Sequence, residues 1–157
     1  MTSEVEIGVE GRAGIITLTR EKAINALSGD MIAAISVALE DWEDDSAIAL
    51  VLIEGQGEKG FCAGGDVRAA RDLVLAGRMD AAKVYFEDEY RMNGLIAAYE
   101  KPIVALQHGF VMGGGIGLSS HGRYRIATQS SRFAMPEAAI GFFSDVGVNA
   151  ILYQTAE

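Results

Sequence analysis

Two short apolar runs, each followed by a glycine-rich segment, constrain the fold of this chain more than any other feature. Residues 48–53 (IALVLI) run into the segment 55–65, and residues 103–106 (IVAL) run into the segment 109–117. A short run of apolar residues without polar alternation is typical of a strand buried on both faces of a parallel sheet. The sequence therefore predicts two such strands whose carboxyl ends carry glycine turns.

Three segments before and between these two strands have a pattern that is typical of helices. Over residues 28–42 the apolar residues recur at steps of three and four, and either Ser28 or Asp30 can cap the helix. Two further helical patterns cover residues 66–76 and 80–100. Each pattern predicts a helix that covers a core with one face.

The other segments complete an alternation of strands and helices. Strands at 5–9 and 14–19 predict an opening hairpin, and a short helix that ends near His121 precedes a strand at 124–127 and a loop at 133–147. Alternating strands and helices indicate an α/β fold in one domain, in which ligands bind beyond the carboxyl ends of the strands.

Composition argues against several classes of protein. The 157 residues include 13 Lys and Arg against 22 Asp and Glu, and a formal net charge of -9 disfavours nucleic acid as a partner. The single cysteine, Cys62, excludes a disulfide framework and a cysteine-based metal site. Residues 1–6 lack a secretion-leader pattern and no apolar run has membrane-spanning length, so we expect a cytoplasmic protein with no membrane partner and no metal.

The two glycine turns, 62–66 (CAGGD) and 112–115 (MGGG), place residues without a Cβ directly after a strand. Backbone N–H groups in such turns can approach a ligand closely and suit an oxyanion, and the dipole of a helix after the second turn adds to this attraction. Residues 113–122 lack the spacing of a dinucleotide fingerprint, and no Walker loop is present. A purely structural role for the glycines stays open at this point.

Three carboxylates are candidates for chemistry near these turns. Glu89 interrupts an apolar stripe of helix 80–100, where burial would be costly without a partner or a proton, although the acidic run 87–89 also fits a solvated face. Glu137 lies at the first turn of a predicted helix, and Asp145 precedes another. Helix ends favour both residues without any function.

The histidine, serine and cysteine residues are weaker candidates for catalysis than the three carboxylates. His108 ends a strand and His121 ends a short helix, where hydrogen-bonding caps are more common than catalysts. Ser119 and Ser120 are not part of the G-x-S-x-G motif that surrounds many serine nucleophiles. Cys62 lies in a pocket loop that favours a small, well-packed residue. We therefore do not expect covalent catalysis by serine or cysteine.

Residues 59–66 (KGFCAGGD) followed by 112–118 (MGGGIGL) resemble the paired motifs of the enoyl-CoA hydratase/isomerase, or crotonase, superfamily. Residues 20–27 and 48–53 match the same pattern in the same order, so the resemblance covers essentially the whole chain. It implies a crotonase-like (ClpP/crotonase) spiral of strand-strand-helix units, with residues 1–157 as an acyl-CoA-binding core that lacks the C-terminal helical part. Crotonase subunits continue with helices that complete the acyl pocket, so a homo-oligomer and association with a C-terminal part both stay open.

The resemblance also implies roles for residues. The N–H groups of Gly65 and Gly114 would hold the thioester oxygen as an oxyanion. Coenzyme A is part of the substrate, so no separate cofactor is implied. The residues that would line coenzyme A are Arg20, Lys22, Ala63, Gly64 and Asp66.

Residues 133–147 (FAMPEAAIGFFSDVG) are similar to the 3-hydroxyisobutyryl-CoA hydrolase branch. That branch has substrate-contacting residues at the positions of Glu89, Gly114, Glu137 and Asp145. Hydratases place a second glutamate where this chain has Gly117, which argues against hydration because adding water to a double bond requires two carboxylates.

The chain departs from the hydrolase pattern in the same region. Ser144 stands where a proline is usual, and Val148 and Asn149 replace glycines. These changes bear on the shape of the loop and on the choice of substrate.

The resemblance implies a thioester hydrolase of valine degradation that acts on a short 3-hydroxyacyl-CoA such as 3-hydroxyisobutyryl-CoA. Glu137 would act as nucleophile or as general base, and Asp145 would bind the 3-hydroxyl group or position water, while Glu89 supports the pocket. Two alternatives stay open. One is an enoyl-CoA hydratase or isomerase of the same superfamily, and the other is a non-catalytic acyl-CoA binder.

Overall fold

The computed structural model describes residues 4–154, and its central element is a five-stranded sheet with the order β1-β2-β3-β4-β6. β1 and β2 pair antiparallel, as the predicted hairpin requires, and every later pair in this sheet is parallel. The strands in chain order are β1 (Val5–Glu10), β2 (Ala13–Leu18), β3 (Leu50–Gly55), β4 (Ile103–Gln107), β5 (Phe110–Met112), β6 (Tyr124–Ala127) and β7 (Arg132–Ala134).

Among residues 4–154, five α-helices and two short 3-10 helices accompany the strands. The Oγ atom of Ser28 accepts a hydrogen bond of 3.3 Å from the Met31 N–H, so Ser28 rather than Asp30 caps the first helix. The helices are α1 (Gly29–Glu43), α2 (Val67–Leu75), α3 (Met79–Ala98), α4 (Gly114–Ser120) and α5 (Val148–Gln154), with 3-10 helices at Glu21–Ala23 and Glu137–Ile140.

The core lies between α1, α3 and the sheet. The predicted apolar stripe of α1 is buried, and its Trp42 packs so closely on β2 that a Cβ at Gly14 would lie 2.5 Å from the indole ring. In β3, Val51 and Ile53 are fully buried while Leu50 and Leu52 are half-buried. Side chains alternate across a strand, so the helices among residues 4–154 cover one face of β3 more completely than the other. β4 shows the same alternation, so both predicted strands are fully buried on one face and half-buried on the other.

β5 and β7 form a separate two-stranded parallel sheet that the sequence did not predict. Each strand has only three residues, which is too short for a period-2 pattern to be recognised. The predicted loop 133–147 thus begins inside β7 and contains a 3-10 helix. This small sheet holds the second glycine turn beside the segment that carries Glu137.

Among residues 4–154, no helix combines the length and the apolar character that crossing a membrane requires.

Candidate active site

A cavity of about 420 Å³ lies between the two glycine turns, α2, α3 and the segment that follows β7. Its lining is largely apolar, and its acidic groups come from three separate parts of the chain. The structure brings together five of the predicted site residues in this cavity: Gly65, Glu89, Gly114, Glu137 and Asp145.

Backbone hydrogen bonds hold the two glycine turns side by side. The Cys62 N–H donates to the Phe110 carbonyl at 3.1 Å, and the Met112 N–H donates to the Cys62 carbonyl at 3.0 Å. A Cβ at Gly115 would lie 2.6 Å from the Cys62 carbonyl oxygen, so this close approach requires glycine. The glycines therefore have a packing role as well as an exposed backbone.

The two turns present backbone donors to the cavity. Within residues 4–154 neither the Gly65 N–H nor the Gly114 N–H donates a hydrogen bond to another group. Gly114 is the first residue of α4, where the helix itself supplies no acceptor. A Cβ at Gly114 would lie 3.0 Å from the Gly65 nitrogen, so the two donors are close neighbours.

Glu89 reaches the glycine turns from α3. It is 2% exposed, its Oε1 has no hydrogen-bond partner among the described residues, and a Cβ at Gly114 would clash with that atom. Burial, together with the charges of Asp145 and Glu137, raises the pKa of Glu89 from 4.5 to about 7. The carboxyl therefore keeps its proton to a much higher pH than an exposed glutamate does.

The alternative in which all three acids of the run 87–89 are solvated is excluded. Glu87 pairs with Lys83 at 3.4 Å, and its side chain is 51% exposed, whereas Glu89 is buried. The predicted placement of Glu89 on the apolar stripe of α3 is confirmed.

Glu137 lies against the second glycine turn. A Cβ at Gly113 would be 2.8 Å from its Oε1, its Oε2 has no partner among the described residues, and it is 8% exposed. Burial and the nearby Asp145 raise the pKa of Glu137, although its own backbone N–H opposes the rise. Gly141 ends the 3-10 helix with φ of 75°, and this bend lets Glu137 and Asp145 face one cavity.

Asp145 is fixed by a tyrosine that sequence reasoning missed. The Tyr90 hydroxyl donates a 2.6 Å hydrogen bond to Oδ2 of Asp145. Burial raises the pKa of Tyr90, and the hydrogen bond to Asp145 raises it further, so the hydroxyl keeps its proton. The side chain of Asp145 therefore faces α3.

A second tyrosine, Tyr85, supports the first glycine turn. Its hydroxyl accepts a hydrogen bond from the Asp66 N–H and donates one to the Leu27 carbonyl, both at 2.9 Å. The apolar stripe of α3 predicts Tyr85 as a core residue, but its two partners are remote in the sequence. The sequence gives one indication that Tyr85 lies near the site: it is one helical turn from Glu89 on the same helix.

The residues expected to line coenzyme A divide into two groups. Ala63 and Gly64 line the cavity. Arg20 donates to Asp66 at 2.7 Å and pairs with Glu4 at 3.0 Å, so its guanidinium is held by protein groups. Arg20, Asp66 and the exposed Lys22 do not line the cavity.

Asp66 also caps α2, where its Oδ1 accepts from the Ala69 N–H at 3.0 Å. Burial raises the pKa of Asp66, but the Ala69 N–H and Arg20 outweigh this effect and leave the pKa below 3.8. The predicted position therefore has a clear structural role.

The other nucleophile and base candidates have structural partners. Ser119 donates to the Gly115 carbonyl at 2.6 Å, and the His121 Nε2 donates to the Val146 carbonyl at 2.6 Å. His108 makes a similar bond of 2.7 Å to Gly57. Burial raises the pKa of Cys62 to about 12, which suppresses its thiolate. Within residues 4–154 no group of three or more His, Cys, Asp or Glu side chains is arranged to hold a metal ion.

A sheet that supports two adjoining glycine turns beside an acyl-sized cavity is the architecture expected of the crotonase superfamily. The chain belongs to the enoyl-CoA hydratase/isomerase family, since the family model of that description matches residues 13–157. The family and the crotonase-like fold predicted from the sequence are confirmed.

Curated relatives of this chain carry the name 3-hydroxyisobutyryl-CoA hydrolase, mitochondrial. The protein from Danio rerio is 51% identical over 145 residues, which are 92% of this chain and 38% of that protein. The protein from Homo sapiens is 48% identical over 144 residues, which are 92% of this chain and 37% of that protein. The chain thus spans less than two-fifths of the length of these relatives, and the predicted likeness to this branch is confirmed.

Solved structures show the same fold. A crystal structure described as an enoyl-CoA hydratase from Rhodobacter sphaeroides superposes with a TM-score of 0.90 at 46% sequence identity, over 92% of this chain and 43% of that one.

The expected cytoplasmic location is wrong. The curated relatives at about half identity are named as mitochondrial proteins. The prediction depended on the residue pattern of positions 1–6, and for a chain that spans part of its relatives this pattern does not decide the compartment.

Proposed function

We propose that this chain is the acyl-CoA-binding core of a thioester hydrolase that acts on a short 3-hydroxyacyl-CoA, such as 3-hydroxyisobutyryl-CoA in valine degradation. The observation that carries the proposal is the grouping of Glu89, Glu137 and Asp145 around two unpaired backbone donors in one cavity. The names of the curated relatives support the same substrate.

The thioester carbonyl would accept hydrogen bonds from the N–H groups of Gly65 and Gly114. Negative charge develops on this oxygen as the carbonyl carbon becomes tetrahedral, so fixed donors stabilise the transition state more than the substrate. One preorganised donor of this kind contributes on the order of 10² to 10³ in rate. This role gives a chemical reason for two adjoining turns with free donors.

Glu137 would supply the base or the nucleophile. As base, its carboxylate takes a proton from water whose oxygen bonds to the carbonyl carbon, while the carbon–sulfur bond breaks and the thiolate leaves as coenzyme A thiol after protonation. As nucleophile, it forms a mixed anhydride that water then cleaves. Burial and the charge of Asp145 raise the pKa of Glu137, which makes its carboxylate a stronger base than that of an exposed glutamate.

The other groups would orient the substrate. Asp145, held by Tyr90, would accept a hydrogen bond from the 3-hydroxyl group or position the water. Glu89, when protonated, can donate a hydrogen bond within the acyl pocket. Coenzyme A would contact Ala63 and Gly64, which line the cavity, and the Arg20–Asp66 pair would support the first glycine turn. Lys22 is an exposed cation that could pair with a phosphate of coenzyme A.

A thiol-release assay with 3-hydroxyisobutyryl-CoA tests this function. We expect turnover by the protein and a loss of at least 10³-fold in Glu137→Gln. The matched control Glu40→Gln changes an exposed acid of α1 and should leave turnover intact. Full activity of Glu137→Gln would overturn the mechanism.

Two further outcomes separate the alternatives. If crotonyl-CoA gains water without thiol release, the protein is a hydratase. If coenzyme A binds saturably and no thioester turns over, the chain is an acyl-CoA binder. Either result contradicts the proposed hydrolase.

A further inference from the structure

A groove of about 500 Å³ adjoins the active-site cavity. Its walls come from the middle of α3, from His121 and from the segment 143–149. Asp145 lines both spaces and is therefore a wall that they share. The groove reaches the surface, where its Phe143 is 67% exposed.

Asn93 is the buried polar residue of this groove. It is 5% exposed, and neither Nδ2 nor Oδ1 has a hydrogen-bond partner among residues 4–154. Buried amide groups in native proteins are almost always paired with protein or with ordered water. An unpaired donor and an unpaired acceptor on one buried side chain together match the bonding capacity of a water molecule.

Asn93 also occupies the space beside Gly117 on α4. A Cβ at Gly117 would lie 2.8 Å from Asn93 Nδ2 and 3.0 Å from Oδ1. Asn93 is one helical turn beyond Glu89, so both residues are on the same face of α3. A neutral amide from α3 therefore takes the room into which a side chain at position 117 would extend.

The wall between the groove and the cavity is anchored from both sides. Tyr90 binds Oδ2 of Asp145, and His121 binds the carbonyl of Val146, each at 2.6 Å. Val146 is held at φ of 46°, a conformation that a β-branched residue rarely adopts. These constraints fix where the Asp145 carboxylate lies relative to Asn93.

We propose that this groove is a water site, in which Asn93 binds the water that enters the hydrolytic step and passes it to the active site beside Asp145. The inference rests on the proposed hydrolase function. An acyl-CoA in the first cavity covers the approach from that side, whereas the groove keeps a second route to solvent.

The chemical step balances with one water molecule per turnover. Nδ2 donates a hydrogen bond to the water oxygen, and Oδ1 accepts a hydrogen bond from one O–H group of the water, until the water moves to the carbonyl carbon or to the anhydride. The new carbon–oxygen bond then replaces the carbon–sulfur or anhydride bond. In the base mechanism one proton of the water passes to Glu137 and on to the departing thiolate, while the other stays with the oxygen on the product carboxyl group.

Substitutions at Asn93 in the full chain test the proposal. Leucine has a similar volume and suits a buried site, so Asn93→Leu should fold and lose at least tenfold in kcat, with a KM for acyl-CoA within twofold of the parent. Asn93→Ser keeps a hydroxyl group and leaves room for another water, so it should recover part of kcat. Gln129→Leu makes the same change of amide to leucine at an exposed position and should keep the parent kcat.

A crystal structure of the unmodified protein provides a readout that is independent of activity. We expect an ordered water within hydrogen-bond distance of both Asn93 amide atoms. An amide paired only with protein groups, or an unchanged kcat in Asn93→Leu, overturns the water site. If the parent releases no thiol from any short acyl-CoA, the hydrolase proposal and the delivery role fail together, while the crystal structure still decides whether Asn93 binds water.

Discussion

Tyr90 on α3 binds Asp145 through a 2.6 Å hydrogen bond across 55 positions of the sequence. The bond joins a long helix to the segment that follows Gly141, which has little regular structure of its own. Since Asp145 lines both the cavity and the groove, Tyr90 positions a carboxylate on which both proposals depend.

Removing this hydroxyl tests the positioning role. Tyr90→Phe keeps the ring, which lies 6.3 Å from that of Phe86 between centroids, and removes only the bond to Asp145. A hydrogen bond to a charged group contributes about 1.5 to 3 kcal/mol, and partial exposure of Tyr90 favours the lower end. We expect kcat for 3-hydroxyisobutyryl-CoA to fall about tenfold, measured by thiol release.

Tyr124→Phe is the matched control for that change. Tyr124 is 50% exposed on β6, and we expect no change in kcat when its hydroxyl is removed. Equal kcat values for Tyr90→Phe and the parent would show that Asp145 does not need this bond.

The buried carboxyl of Glu89 predicts a pH-dependent stability. Its pKa rises from 4.5 to about 7 on folding, so the folded chain binds more protons than the unfolded chain between these values. The free energy of unfolding should therefore fall as pH rises from 4.5 to 7, by at most about 1.4 kcal/mol per pH unit, and then level off. Glu137 contributes in the same direction, because its pKa is also raised.

Glu89→Gln removes the titrating group with little change of shape. We expect a shallower pH dependence in urea unfolding and a higher stability than the parent at pH 8, by about 2 to 3 kcal/mol. Glu87→Gln, which changes an acid that is 51% exposed on the same helix, should keep the slope of the parent. The same slope in Glu89→Gln and the parent would mean that Glu89 is not the group responsible.

Features that depend on local sequence could be predicted. The stripe of α3 placed Glu89 among buried residues because helical periodicity is set by nearby positions. The turns at Gly65 and Gly114 followed from glycines directly after buried strands. The helical turn predicted at Glu137 is present as a short 3-10 helix over Glu137–Ile140.

Features that depend on remote contacts could not be predicted. Tyr85 was recognisable as a core residue, but its partner Leu27 is 58 positions away. Tyr90 and Asn93 give no pattern of their own, because their significance comes from Asp145 and Gly117 on other elements. A single sequence shows periodicity along one element and carries little information on which side chains meet across elements.

The close approach of Glu89 to the second turn predicts that Gly114 tolerates no side chain. The Cβ of Gly114→Ala would collide with Glu89 Oε1 and displace either the carboxyl or the turn. Overpacking of this kind costs about 1 to 3 kcal/mol of stability. A displaced backbone donor also reduces kcat/KM by about 10² or more, measured by thiol release.

Gly94→Ala is the contrasting change on α3. Apart from its chain neighbours and the backbone of α3 itself, nothing lies within 4 Å of a Cβ at Gly94, and alanine is favoured over glycine inside a helix by about 1 kcal/mol. Urea unfolding should show this variant to be more stable than the parent and Gly114→Ala to be less stable. Similar midpoints for the two variants would contradict the packing described for the second turn.

Gly117 offers the sharpest separation between hydrolysis and hydration. Restoring the hydratase pattern with Gly117→Glu should fail to create a hydratase, because its Cβ would lie 2.8 Å from both Asn93 Nδ2 and Val146 Cβ. We expect a loss of about 1 to 3 kcal/mol in stability and no hydration of crotonyl-CoA. The double variant Gly117→Glu with Asn93→Ala removes the clash with the amide but not the one with Val146, so it should recover only part of the stability lost in Gly117→Glu. Absorbance of the crotonyl double bond and urea unfolding measure the two effects, and hydration by Gly117→Glu alone would show that Asn93 does not control what position 117 can hold.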